Sequence, residues 1–126
     1  MIACNWKLNL DRDKFLAQHW QSKALLIRNA ISEFKPPVST HELAGLALEE
    51  QVESRLVECR DNVWNVHHGP FHTDDFDRDP PWTLLVQAVD HYFPEVAALR
   101  KLIDFIPQWR VDDIMVSYAV EGGSVG

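Results

Sequence analysis

His67, His68, His72, Asp74, Asp75 and Asp77 form the densest run of potential metal ligands in the chain. A zinc centre of the protease kind needs two histidines four residues apart on a helix; His68 and His72 have that spacing, but Gly69-Pro70 between them gives no helical frame. A solvated polar loop accounts for the same residues without a metal. Asp112 and Asp113 offer different chemistry: in an extended segment, adjacent side chains face opposite sides, so one carboxylate can enter a cavity while the other meets solvent. A buried carboxylate needs a cationic partner, and the planar guanidinium is the best geometric match. That guanidinium can come from a substrate or from the chain itself, with Arg110 the nearest candidate. Gly122-Gly123-Ser124-Val125-Gly126 lacks the Lys-Ser/Thr ending of a phosphate loop and the Gly-x-Gly-x-x-Gly of a dinucleotide site. No Ser/His/Asp or Cys/His triad follows from spacing.

These groups need elements to hold them. Asp11 suits the N-cap of a helix over residues 12–21, and Ser39 with Glu42 forms a capping box for a helix ending near Glu50. Leu25-Leu26-Ile27 reads as a short buried strand. Arg55-Leu56-Val57 and Val63-Trp64-Asn65-Val66 flank Asp61-Asn62, residues that tolerate positive φ, so a hairpin is expected. From Trp82 the spacing of Leu85, Val86, Val89 and Tyr92 predicts a helix. Pro94 marks a kink or the first turn of a second one, carrying Val96, Leu99, Ile103 and Ile106 to Pro107. Val111 to Val120 is a β-branched run and predicts a strand, with Asp113, Met115, Ser117 and Ala119 on one face and Ile114, Val116, Tyr118 and Val120 on the other. This mix of helices and short strands is α+β. The run passes straight into the glycines, so the domain is expected to be truncated and the glycines to approach a backbone outside these residues.

The 126 residues fit one domain, and 46% hydrophobic with 25% charged residues is ordinary for a globular protein. Five tryptophans spread along the chain offer apolar anchors throughout. A formal charge of -7 argues against direct nucleic-acid binding and suits a basic protein partner. Cys4 and Cys59 have no paired spacing, so two reduced thiols are expected. No membrane span and no secretory leader is read, and the cytoplasm is the expected compartment.

Asp112-Asp113-Ile114-Met115-Val116-Ser117, followed by Gly122-Gly123-Ser124-Val125-Gly126, resembles the lead-in to the iron motif of the bacterial JmjC-type (cupin-like) ribosomal oxygenases. The resemblance recurs in order along the chain. It includes Phe15-Leu16-Ala17-Gln18-His19-Trp20-Gln21, Leu25-Leu26-Ile27-Arg28, Glu42-Leu43-Ala44-Gly45-Leu46-Ala47, Ser54-Arg55-Leu56-Val57, His68-Gly69-Pro70-Phe71, Trp82 to Val89 and Trp109-Arg110-Val111-Asp112-Asp113. Ala24 departs from it, standing where the family usually has proline.

The resemblance implies that residues 1–126 are the N-terminal portion of one double-stranded β-helix domain, cut before the metal motif. It implies an Fe(II)- and 2-oxoglutarate-dependent dioxygenase that hydroxylates an arginine of a large-subunit ribosomal protein. The iron and 2-oxoglutarate ligands are expected beyond Gly126, so no catalytic or metal residue is assigned within the chain. Asp112, Asp113, Met115 and Ser117 are the expected substrate-binding residues: the face shared by Asp113, Met115 and Ser117 is mixed and small, as a barrel interior would be, and either adjacent aspartate can meet the substrate guanidinium. A ribosomal protein is the implied partner, and a homodimer of the full-length form is compatible. The alternative is a non-catalytic protein-binding module of the same fold.

Overall fold

The computed structural model describes residues 5–125. Among them, three short helices, α1 (Arg12–Gln18), α2 (Thr40–Leu46) and α3 (Pro94–Ala97), accompany four strands, β1 (Ser54–Arg60), β2 (Val63–His68), β3 (Trp82–Val86) and β4 (Val116–Ala119). The strands form one antiparallel sheet in the order β2-β1-β3-β4. The chain is therefore α+β. Cys4 lies outside the described residues, and Cys59 is a half-buried free thiol.

Local signals set most element boundaries. The Asp11 carboxylate accepts from Lys14 N–H at 3.1 Å and starts α1. That helix ends three residues earlier than expected, just before Gln21 adopts a φ of 58°. Ser39 Oγ accepts from Glu42 N–H at 3.1 Å while Glu42 Oε1 accepts from Ser39 N–H at 3.0 Å, completing the capping box. Its helix stops at Leu46 rather than near Glu50. The β1–β2 hairpin turns on Asp61 and Asn62, both at positive φ (51° and 64°), the left-handed pair whose twist matches the flanking strands.

Two expectations fail and two hold only in part. Trp82 to Tyr92 is not a helix: Trp82–Val86 is the buried central strand β3, hydrogen-bonded to β1 on one side and β4 on the other. A short continuous apolar run has no period of its own, and burial on both faces suits it to a sheet centre. Leu25-Leu26-Ile27 is not a buried strand: Leu25 and Leu26 are 44% and 76% exposed. The helix expected after Pro94 is one turn of α-helix with proline in its first turn, followed by 3-10 structure over Ala98–Ile103. The strand expected over residues 111–120 is regular only over β4. The tryptophans also differ in role, since Trp82 is buried and Trp109 is 81% exposed.

Residues directly opposite in an antiparallel sheet share a face, so the register sorts this sheet into two surfaces. On one, Leu56 pairs with Leu84 and Leu84 with Tyr118, while Val86 pairs with Val116. Leu43 and Ala47 of α2, with Val89 and Val96, join this face in the core. Complete burial of each leucine there contributes about 1.5–3 kcal/mol. At its edge the Glu58 carboxylate, 12% exposed, meets His67 at 2.9 Å, Arg78 at 3.3 Å and Arg60 at 3.4 Å. The His67 hydrogen bond, with the two guanidiniums, holds its pKa below the ordinary value against burial and ties the loop carrying Arg78 to the hairpin.

The other surface carries Arg55, Val57, Leu85, Ser117 and Ala119, matched with His68 and Val66 on β2. Trp64, Val66 and Met115 stand 44–50% exposed there. This open face positions the candidate site.

Candidate functional site

Asp113 precedes β4, and two residues locked to neighbouring elements determine where it sits. Asp90, with its side chain only 4% exposed, accepts the Ile114 N–H through Oδ1 at 2.9 Å. Through Oδ2 it accepts from Arg100 Nε (3.1 Å) and Nη2 (2.7 Å). The same Nη2 donates to the Asp112 carbonyl at 2.7 Å, and Val89 N–H donates to the Ile114 carbonyl at 2.9 Å. The peptide groups on both sides of Asp113 are thus fixed by one part-buried ion pair and the segment that carries it. Burial alone would raise the Asp90 pKa. The Ile114 N–H and the Arg100 guanidinium outweigh it and leave the carboxyl below its ordinary value.

With its backbone fixed, Asp113 lies on the open face. Its Oδ1 accepts from Gln87 Nε2 at 3.4 Å, and Gln87 Oε1 accepts from Arg55 Nη2 at 3.3 Å. Arg55 Nη2 also lies 3.9 Å from Met115 Sδ, while Ser117 faces Leu85, the residue opposite Arg55. Asp113, Met115 and Ser117 therefore share one surface, as the alternation predicts. Asp112 does not join them through its side chain: it is exposed, and its carbonyl is the group held by Arg100. Arg110, the internal partner considered for the aspartates, lies over the rings of Trp20 and Trp109.

Sequence reasoning missed Arg55, Gln87, Asp90 and Arg100. Only β-sheet register brings the first two to Asp113, and misreading β3 as helix hid it. The histidine cluster is dispersed: His67 meets Glu58 on the covered face, His68 lies across from Arg55 on the open one, and His72 N–H donates to Asp75 at 2.7 Å in a 3-10 turn. Among the described residues, no three His, Cys, Asp or Glu side chains gather as metal ligands.

The glycines that follow β4 approach the chain itself. Gly123 N–H donates to Val120 O at 2.8 Å, and Thr83 Oγ1 donates to Ser124 O at 3.3 Å. A Cβ on Gly123 would sit 2.6 Å from Trp82 O and 2.9 Å from Val120 O, against backbone that cannot swing aside. Gly123→Ala is expected to destabilise the chain by about 1–3 kcal/mol, read as a lower denaturant midpoint with an unchanged slope.

On the covered face, a cavity of about 400 Å³ lies between α2 and the sheet, lined chiefly by Ala44, Leu48, Phe76, Trp82, Leu84 and Tyr118. It is separated from Asp113 by the sheet.

No family model matches the chain. The chain is 44% identical over 121 residues to the ribosomal protein uL16 3-hydroxylase of Escherichia coli (strain K12), covering 96% of this chain and 32% of that protein. It is 43% identical over 114 residues to a probable ribosomal oxygenase of Haemophilus influenzae, covering 89% of this chain and 28% of the relative. An X-ray structure of E. coli ycfD superposes with a TM-score of 0.92 at 43% identity, over 98% of this chain and 33% of that one. In sequence and fold, the chain is similar to one portion of these bacterial ribosomal oxygenases. It spans about a third of the length of the ribosomal oxygenases it matches. The ribosomal oxygenase YcfD has also been solved in complex with cobalt and 2-oxoglutarate, and that structure superposes with a TM-score of 0.91 at 43% identity, covering 97% of this chain and 34% of its own.

Proposed function

We propose that these residues form the N-terminal portion of a JmjC/cupin-like domain in an Fe(II)- and 2-oxoglutarate-dependent oxygenase that hydroxylates an arginine of a large-subunit ribosomal protein in the cytoplasm. The observation that carries this reading is the agreement of a 44% sequence match with an open sheet face bearing Asp113, Met115 and Ser117. Fe(II) and 2-oxoglutarate fit the complete oxygenase; among the described residues here, no three metal-ligating side chains come together. The cofactor pair supplies the oxidising chemistry; this segment supplies one wall of the substrate groove.

On that wall Asp113 offers a carboxylate to the substrate guanidinium, Met115 an adaptable apolar contact for its alkyl stem, and Ser117 a small hydroxyl. Asp112, on the solvent side of the same lead-in, acts through its backbone.

Succinate formation from 2-oxoglutarate with Fe(II) and uL16 tests the assignment. The complete oxygenase bearing these residues is expected to release succinate in step with hydroxylated uL16. The 126-residue chain alone is expected to match a no-protein control. Turnover by the chain alone would place the active site elsewhere, and failure of the complete protein to modify uL16 would overturn the substrate.

A further inference from the structure

Gln87 stands between a cation and an anion. Arg55 has only donors, so the end of the Gln87 amide that meets it must be the oxygen. The NH2 is thereby turned to Asp113, whose ionised carboxylate has only lone pairs to offer. The orientation of this amide, often ambiguous, is settled by its two neighbours. Its backbone is equally constrained, because Gln87 N–H donates to Glu53 O at 3.0 Å as the chain leaves β3. Every link therefore runs in one direction, from Arg55 through Gln87 to Asp113.

A neutral amide in this place has a particular effect. Direct pairing of Arg55 with Asp113 would neutralise the carboxylate and occupy the lone pairs that a substrate needs. The amide holds Oδ1 while leaving the negative charge in place, and Arg55 meanwhile touches Met115 Sδ on the same wall.

We infer that Arg55 and Gln87 are positioning residues that orient the Asp113 carboxylate and the Met115 side chain towards a substrate guanidinium. This rests on the proposed function, but the relay itself can be read without substrate.

Two measurements separate the relay from that reading. By NMR on the complete oxygenase, the Gln87 side-chain amide protons are expected to exchange with water more slowly than those of exposed Gln18. Arg55→Met should abolish the difference and Arg55→Lys should keep most of it. Equal exchange for Gln87 and Gln18 in the unmodified protein would overturn the relay. In the complete oxygenase, Arg55→Met and Gln87→Ala are each expected to raise KM for uL16 about three- to tenfold, with a smaller fall in kcat, and Arg55→Lys to recover most of the loss. Neither should add to Asp113→Ala, because the relay acts through that carboxylate. A raised KM in Asp113→Ala with unchanged KM in Arg55→Met and Gln87→Ala overturns the relay alone. An unchanged KM in Asp113→Ala overturns the substrate reading and the role of the relay with it.

Discussion

On the proposed function, Asp113→Ala is expected to raise the KM of the complete oxygenase for uL16 by about 30- to 800-fold, equivalent to about 2–4 kcal/mol, because it would leave a desolvated substrate guanidinium without its counter-charge. The fold should barely register the change. Asp113 contributes one long hydrogen bond from Gln87 to the free chain, at 3.4 Å, and its backbone is held by other residues. The melting temperature should therefore fall by no more than a few degrees. Asp112→Ala is the matched control. Its carboxylate is exposed and its carbonyl survives the substitution to accept from Arg100, so both KM and stability should stay close to the parent. Equal losses of uL16 affinity in the two variants would show that the lead-in carries general negative charge and makes no directed contact.

Asp90→Ala should have the opposite signature. It removes the acceptor of Ile114 N–H and the partner of Arg100 together, at a position 4% exposed, so stability should fall by about 3 kcal/mol or more in chemical denaturation. Asp90→Asn retains an oxygen for Ile114 N–H but loses the charge and turns an NH2 donor towards Arg100, so at least half of that loss is expected. The folded Asp90 pKa lies below its ordinary value of 3.8. A depressed carboxyl stabilises the fold fully above the unfolded pKa and loses that contribution as pH falls through the folded one. The gap in stability between parent and Asp90→Asn should accordingly be widest near neutrality and should narrow below about pH 4. A gap unchanged at pH 3 would mean that the ionised carboxylate is not what braces the lead-in.

Several features of this protein were legible from sequence because their causes lie within a few residues. Ser39 caps a helix with Glu42 three residues on, Asp61-Asn62 reverses a chain through its own φ preferences, and Pro94 fits the first turn of a helix because it lacks an N–H. The strings that resemble those of ribosomal oxygenases were also readable, since their order is local, and so was the alternation that puts Asp113 with Met115 and Ser117. What depended on partners was not. Trp82 to Val86 has spacing that serves a helix or a buried strand, and pairing with β1 and β4 decides for the strand. Leu25-Leu26-Ile27 is apolar enough to be buried, yet among the described residues no strand pairs with it. The surroundings of Asp113 come from Arg55, Gln87, Asp90 and Arg100, between 13 and 58 residues away in the sequence. Hydrogen bonds across a sheet and a part-buried ion pair have no period and no motif. They exist only once the register is set, and the register is a property of the whole packed sheet.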